Sequence, residues 1–112
     1  MRDDRTYLLD VLETIERIER YTRLGRETFA GDELVQTWVV HHLEILGEAC
    51  RGISDMLRST HSDVSWSEII GMRNMLVHHY FGIDVEKVWD TVERDLPELK
   101  AAIETILHEL PE

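Results

Sequence analysis

Residues 69–81 are apolar except at Arg73, Asn74, His78 and His79, and Tyr80 adds a phenolic hydroxyl. Histidine titrates near neutral pH, so it can take up or release a proton during a reaction. Arginine is always charged and can hold an anionic oxygen pair with two parallel hydrogen bonds. A histidine and an arginine together could therefore transfer a proton beside a bound anion.

The element that must position these side chains is predicted to be a helix from Trp66 to about Tyr80. Ser65 and Glu68 have the spacing of a capping box, which typically opens a helix. A helix that is apolar almost all round belongs in the centre of a bundle. Polar groups placed there cost several kcal/mol of desolvation unless they are paired or serve a site.

Helical geometry then predicts which of the polar residues share a face. At about 100° per residue, Arg73 and Tyr80 lie on one face and Asn74 and His78 on another. Arg73 and His78 are about 140° apart, so a straight helix does not make them neighbours. They converge only if the helix end distorts or if two copies of the helix meet across a symmetric interface. The spacing thus hints at a composite site in a dimer.

The same stretch resembles a known family. Arg73, four residues, His78, one residue and Tyr80 are similar to the Arg-x4-His-x-Tyr motif of HepT-like toxins, a branch of the HEPN superfamily of small helical ribonucleases. The resemblance extends through Phe81-Gly82-Ile83-Asp84, Val88-Trp89-Asp90 and Asp95-Leu96-Pro97, and upstream through Leu43-Glu44-Ile45 and Trp66-x-x-Ile69-Ile70-Gly71-Met72. It covers essentially the whole chain.

The resemblance implies a metal-independent endoribonuclease that acts as a homodimer, the toxin of a toxin–antitoxin pair. Its partner in that family is a minimal nucleotidyltransferase antitoxin, which silences the toxin by transferring AMP to the motif tyrosine, here Tyr80. RNA cleavage needs a base for the 2′-hydroxyl proton and an acid for the leaving oxygen, which suits His78. Arg73 would hold the scissile phosphate, and Asn74 would donate to a phosphate oxygen or orient His78.

Each of these residues also has a structural interpretation. Arg73 could form an ion pair with Glu44 or Glu48 of another helix, and His78 could be a hydrogen-bonded core residue. Tyr80 could be a core aromatic with a solvated hydroxyl. The alternative function is accordingly a non-catalytic, dimeric helical module that docks a nucleotidyltransferase. Ribonuclease activity of the purified dimer separates the two functions.

A second group, His41, His42, Glu44 and Glu48, contains side chains that can bind a metal, as do His78 and His79. His41 and Glu44 are three residues apart and Glu44 and Glu48 four apart, so the three could line one helix face. The Glu-x-x-His order and the matching glutamates of a bundle-core metal site are absent from the sequence. We therefore expect no metal and no cofactor. His41-His42 also departs from the Arg-Asn usual in the family.

The remaining elements are predicted from apolar periodicity and from helix caps. The predicted helices are Asp4 to Leu24, Glu33 to Arg51, Trp66 to Tyr80, Val85 to Asp95 and, after Pro97, Glu98 to Leu110. Asp32 and Asp84 are the expected N-caps, and one short helical turn is expected between Gly52 and Ser62. The prediction is a single all-α, HEPN-like domain over residues 1–112, a bundle of four to five helices.

The helix from Glu33 carries a second apolar side, formed by Val40, Leu43 and Gly47. A helix that is apolar on two sides usually packs against its own domain and against a partner. The predicted dimer interface therefore uses this helix and the helix from Trp66.

Composition and charge bound the partners and the compartment. Hydrophobic residues make up 43% of the 112 residues and no apolar run is long enough for a membrane span. The net charge of −11 argues against non-specific binding of nucleic acid. The acidic segment 84–112 is most simply a solvated helix face, with a basic partner as the alternative. A charged N-terminus without a secretory signal and a single cysteine, Cys50, lead us to expect a cytoplasmic protein.

Overall fold

The computed structural model of the chain describes residues 2–78 and 82–111. The predicted all-α fold is confirmed, with one addition: a two-stranded antiparallel ribbon. In chain order the elements are α1 (Asp4–Thr22), α2 (Arg26–Ala30), α3 (Glu33–Gly52), α4 (Asp55–Thr60), α5 (Trp66–Gly71), α6 (Arg73–Leu76), β1 (Val77–His78), β2 (Gly82–Ile83), α7 (Val85–Asp90), a π-helical turn (Thr91–Asp95) and α8 (Leu96–Glu109).

The two long helices α1 and α3 form the framework of the bundle, and both lie within two residues of their predicted bounds. Asp32 is the N-cap of α3 as predicted, because its carboxylate accepts hydrogen bonds from the backbone N–H groups of Leu34 and Val35. The apolar stripe of α1 is completely buried: Leu8, Val11, Ile15 and Ile18. Full burial of one such side chain contributes roughly 1.5–3 kcal/mol, so this stripe anchors α1 to the core.

The core is continued by α3 and by the C-terminal helices. Its largest fully buried side chains outside α1 are Phe29, Val39, Leu43, Leu46, Cys50, Ile53, Val88 and Ile103. The rings of Phe29 and Trp89 lie 5.4 Å apart and join the short helix α2 to α7. Helix α2 was not predicted, whereas α4 is the short helical turn expected between residues 52 and 62.

The second apolar side of α3 is covered by the chain itself. Val40 and Leu43 are buried, and α5 packs directly on Gly47. A Cβ atom on Gly47 would lie 3.3 Å from the carbonyl oxygens of both Ile69 and Ile70. The inference that this side of α3 is left over for a partner is therefore wrong for these residues.

The predicted continuous helix from Trp66 to Tyr80 is also wrong. Helix α5 ends at Gly71, a turn at Met72 leads into the single turn of α6, and the chain becomes extended at Val77. Val77 pairs with Ile83 and His78 with Gly82, while the N–H of Asp84 donates to the carbonyl oxygen of Leu76 at 2.7 Å. These ribbon bonds replace the helical ones that residues after Leu76 would have made.

Two details at the ends of this region differ from the predictions. Ser65 precedes α5 but its side chain makes no capping hydrogen bond, so the predicted capping box is wrong. Asp84 does cap α7 as predicted, accepting a hydrogen bond from the backbone N–H of Lys87. The start of α7 is therefore set by an aspartate that also follows the ribbon directly.

The last two predicted helices follow each other without a break. Between α7 and α8 the chain makes a π-helical turn, in which the N–H of Leu96 donates to the carbonyl oxygen of Thr91, five residues back. Pro97 lies in the first turn of α8, which begins at Leu96, two residues before the predicted start at Glu98. Because the ring of a proline would clash with the carbonyl four residues back, the wider turn lets the helix continue past it. Within the described ranges no helix is long and apolar enough to cross a bilayer.

Candidate functional site

The predicted site residues lie at the surface and not in the centre of the bundle. Arg73 opens α6 with about half of its side chain exposed, 54%, and His78 ends β1 with 46% exposed. Met75, between them, is 59% exposed, whereas Leu76 points into the core. The expectation that this segment is central is wrong because only one side of α6 packs on the chain. The polar groups therefore need no compensation for deep burial.

Arg73 is held from one side by a carboxylate of α3. Its Nε atom donates to Oε1 of Glu44 at a distance of 2.5 Å. Of the two ion pairs considered from the sequence, the structure contains the one with Glu44, while Glu48 pairs with Arg51 at 3.5 Å. In the described ranges the two terminal nitrogens of Arg73 make no hydrogen bond. With these two nitrogens an arginine can form a bidentate pair of hydrogen bonds to a carboxylate or phosphate.

His78 is held by a different carboxylate. Its Nε2 atom lies 3.4 Å from Oδ2 of Asp84, across the ribbon formed by β1 and β2. Gly82, the ribbon partner of His78, has a φ of +75°, a left-handed conformation that favours glycine. The turn chemistry of the ribbon thus sets where the imidazole and Asp84 meet.

Asp84 is predisposed to be ionised. The hydrogen bond from the backbone N–H of Lys87 holds the pKa of Asp84 below its ordinary value of 3.8, and the nearby His78 lowers it further. A carboxylate at the N-terminus of a helix is also stabilised by the helix dipole. The sequence predicts Asp84 as a helix cap and as part of the family resemblance, but not as a partner of His78, because residues six apart do not face each other on a straight helix.

The structure leaves the other predicted site residues separate. Asn74 is exposed on α6, and among the described residues no hydrogen bond joins Arg73 to His78. Tyr80 lies outside the described residues. The helical argument that put Arg73 and Tyr80 on one face no longer applies, because α6 ends at Leu76.

Of the two histidines of α3, His42 is part of the packed interior and His41 lies at the surface. His42 is buried, stacked on Trp38 at 4.1 Å between ring centroids, and its Nδ1 lies 2.8 Å from the carbonyl oxygen of Trp38. His41 is exposed and meets His42 edge-on.

Across the part of the chain that the structure describes, no three His, Cys, Asp or Glu side chains are grouped closely enough to hold a metal ion. Burial raises the pKa of the Cys50 thiol to about 12, so it stays protonated and inert.

A groove of about 510 Å³ lies beside the candidate site, between α5–α6 and the C-terminal helices. Its floor is apolar, but five carboxylates and one amine line it: Asp63, Glu68, Asp90, Asp95, Glu98 and Lys87. None of the five carboxylates forms an ion pair within residues 2–78 and 82–111. Such a lining repels phosphate, so the groove is not where an RNA backbone would bind. The open surface at Arg73 and His78 is the better candidate.

The fold and the site define a small all-α protein of the HEPN-like type, with an exposed arginine and an exposed histidine that each face one carboxylate. The chain belongs to the HepT-like ribonuclease family, whose model, described as Ribonuclease HepT-like, matches residues 11–106. The family predicted from the motif is thereby confirmed, and with it the class of enzyme, an endoribonuclease.

Individual relatives align over almost the whole chain. A protein of Thermococcus cleftensis named a probable ribonuclease HepT is 41% identical over 106 residues, which are 94% of this chain and 96% of the relative. A protein of Caldanaerobacter subterraneus subsp. tengcongensis named as a candidate RNase is 38% identical over 108 residues, 96% of each chain. Another from Methanocaldococcus jannaschii, also named as a candidate RNase, is 35% identical over 106 residues, 94% of this chain and 97% of the relative. No solved structure matches the chain.

Proposed function

We propose that this protein is the toxin of a toxin–antitoxin pair and that it cleaves RNA without a metal ion, with Arg73 and His78 as catalytic residues. The observation that carries the proposal is the pairing of each residue with one carboxylate at an exposed segment. Glu44 occupies only Nε of Arg73, and Asp84 only Nε2 of His78. Among residues 2–78 and 82–111, one carboxylate orients each side chain and leaves it a nitrogen for the substrate.

The proposed chemistry uses the types of group that are present. The terminal nitrogens of Arg73 bind the scissile phosphate and offset the charge that develops on it. His78 takes the proton from the 2′-hydroxyl, and its protonated form can supply a proton to the leaving 5′-oxygen. Asn74, one residue after Arg73 and exposed, donates a further hydrogen bond to a phosphate oxygen. No step requires a metal.

The direct test is cleavage of an RNA oligonucleotide by the purified protein in excess EDTA. Wild type should cleave, and His78→Ala should lower kcat by about 100-fold or more, which is typical for loss of a general acid–base group. His108→Ala removes another exposed histidine, on α8, and should leave the rate unchanged. Equal cleavage by wild type and His78→Ala would instead support the non-catalytic binding module.

We also propose that the protein acts as a homodimer through the surface formed by α3 and α6. Ile45 on α3 is 40% exposed and Met75 on α6 is 59% exposed, on the two elements that carry Glu44 and Arg73. Sedimentation should find a dimer at micromolar concentration, and Met75→Glu should dissociate it. Met56→Glu, at an exposed methionine of α4, should not. A wild-type monomer would contradict the dimer, and with it a composite site.

The third part of the proposal is regulation through Tyr80 by a minimal nucleotidyltransferase antitoxin. An AMP group on the Tyr80 hydroxyl would place a phosphodiester anion two residues from His78, blocking RNA by size and charge. Incubation with the partner and ATP should add one AMP mass to wild type and none to Tyr80→Phe. Tyr21→Phe is the control, because Tyr21 is an exposed tyrosine outside the motif. An adduct that maps to Tyr21 would contradict the proposal.

The toxin role has its own readout in cells. Expression without the antitoxin should arrest growth, and Arg73→Ala and His78→Ala should relieve the arrest. Growth arrest that persists in both variants would contradict a toxin acting through RNA cleavage.

We further propose that residues 1–112 act as one domain and that the protein works in the cytoplasm, where the buried Cys50 thiol remains reduced.

A further inference from the structure

We propose that Asp84 is a positioning residue for catalysis: it keeps the proton of the neutral His78 imidazole on Nε2, so that Nδ1 is the nitrogen that exchanges a proton with RNA. This inference rests on the proposed catalytic role of His78 and adds to it the residue that selects the reactive nitrogen. Asp84 is not expected to touch the substrate, and it acts through His78 alone.

The first support is that Asp84 is fixed independently of His78. Its backbone N–H donates to the carbonyl oxygen of Leu76 at 2.7 Å, which closes the ribbon. Its Oδ1 accepts the backbone N–H of Lys87 at 3.2 Å, which caps α7. With the backbone and one carboxylate oxygen committed, the position of Oδ2 is determined by the fold.

The second support is the chemistry of the remaining oxygen. Oδ2 lies 3.4 Å from Nε2 of His78. An ionised carboxylate can only accept hydrogen bonds, so the nitrogen that faces it must carry the hydrogen. A neutral imidazole has a single N–H, and its other nitrogen then presents a lone pair. Because the cap lowers the pKa of Asp84, the carboxylate remains an acceptor throughout the neutral range.

Two substitutions separate this role from the capping role. Asparagine and serine are about as good as aspartate at an N-cap, so both should keep α7 intact. In Asp84→Asn the oxygen stays in the cap and the amide NH2 faces Nε2, which must then accept and leaves the proton on Nδ1. In Asp84→Ser the side chain is too short to reach the ring, so the tautomer is set by solvent.

The two Asp84 variants should differ in rate in an order that loss of the helix cap cannot explain. We expect kcat to fall about 10-fold in Asp84→Ser and about 100-fold or more in Asp84→Asn, with KM within about twofold of wild type. Asp32→Asn and Asp32→Ser are the matched controls, because Asp32 caps α3 in the same way and contacts no histidine among the described residues. Both should retain wild-type kcat. Equal rates for Asp84→Asn and Asp84→Ser would overturn the proposal.

The tautomer itself can be read without any RNA. Long-range proton–nitrogen NMR spectra of protein labelled with ¹⁵N-histidine, at about pH 9 where an ordinary imidazole is neutral, distinguish the two forms. The signals that disappear in His78→Ala belong to His78. We expect the Nε2–H form in wild type and the Nδ1–H form in Asp84→Asn. A wild-type Nδ1–H form or a mixture would overturn the role of Asp84 even in an active enzyme. Failure of RNA cleavage with the expected tautomers would instead overturn the proposed function alone.

Discussion

Replacing Glu44 by Gln tests whether Arg73 binds an RNA phosphate or serves only in an ion pair. Glu44 contacts Nε of Arg73 at 2.5 Å, and a phosphate gripped by the terminal nitrogens would lie on the opposite side of the guanidinium. The carboxylate and the phosphate would then be about 7 Å apart, given the size of the guanidinium and ordinary hydrogen-bond lengths. Two like charges at that distance repel each other, so we expect Glu44 to weaken RNA binding while it orients Arg73.

The size of the effect follows from Coulomb's law. At about 7 Å the repulsion is about 0.6 kcal/mol in a medium like water and about 2.4 kcal/mol at the effective dielectric of a protein surface. Glu44→Gln removes this repulsion and keeps an oxygen that can accept from Arg73. We therefore expect KM for RNA to fall by a factor of about 3 to 60 at low salt. The ion pair itself is half exposed, so its loss should lower the free energy of unfolding by no more than about 1 kcal/mol.

The assay is steady-state cleavage of an RNA oligonucleotide at two salt concentrations, with thermal unfolding measured in parallel. The gain in affinity should shrink at high salt, because exposed charges farther apart than a few Å are increasingly screened. Glu48→Gln is the control: Glu48 lies one turn farther along α3 and pairs with Arg51. An unchanged KM in Glu44→Gln, or an equal fall in Glu48→Gln, would refute phosphate binding by Arg73.

Three further predictions address the site, the packing and the acidic groove. Arg73→Ala should lower kcat/KM for RNA by about 100- to 1,000-fold while changing the free energy of unfolding by no more than about 1 kcal/mol. Arg51→Ala removes another exposed ion pair and should change neither quantity by much. If the activity of Arg73→Ala only follows its folded fraction, the role of Arg73 is structural. Gly47→Val should destabilise the chain by about 1–3 kcal/mol in denaturant unfolding, because the backbone of α5 lies against that position. Gly71→Ala, with open space around it, should be neutral or stabilising. Similar effects of the two substitutions would contradict the close packing of α3 and α5. Burial raises the pKa of Asp95, and so do the carboxylates of Glu98, Asp90 and Glu68. The ionised form therefore opposes folding at neutral pH, and this opposition disappears as the pH falls toward 3.8. Asp95→Asn should accordingly raise the free energy of unfolding at about pH 7, by a small amount because solvent screens an exposed carboxylate, and should have no effect at about pH 3. A loss of stability at neutral pH would contradict the repulsion.

The long helices were predictable because their physics is local. An apolar stripe at helical spacing and an aspartate at the start are enough to place α3 to within one residue, and the first helix was predicted almost as closely. The same rules fail after Leu76. Residues 69–80 are compatible with a helix by composition. The pairing of β1 with β2 and the bond from Asp84 to Leu76 make the chain extended at Val77 and His78.

The candidate site shows the same division. The types and positions of Arg73 and His78 could be selected from the sequence, and Glu44 was one of two partners considered for Arg73. The pairing of His78 with Asp84 could not be predicted, since it depends on the ribbon that replaces the helix end. Gly82, two residues before the capping Asp84, was a local signal of a turn at that place. The sequence was thus enough to predict the residues of the candidate site, but not the contacts that orient them.

The most direct measurement of the central claim is the rate of cleavage, in excess EDTA, of two oligonucleotides that differ by one oxygen. One is all ribose, and the other has a 2′-deoxyribose at the cleaved position. If His78 activates the 2′-hydroxyl of a phosphate held by Arg73, wild type should cleave only the first, leaving a 2′,3′-cyclic phosphate, and His78→Ala should cleave neither at a comparable rate. Equal cleavage of both oligonucleotides, or cleavage that appears only when a divalent ion is added, would contradict the mechanism.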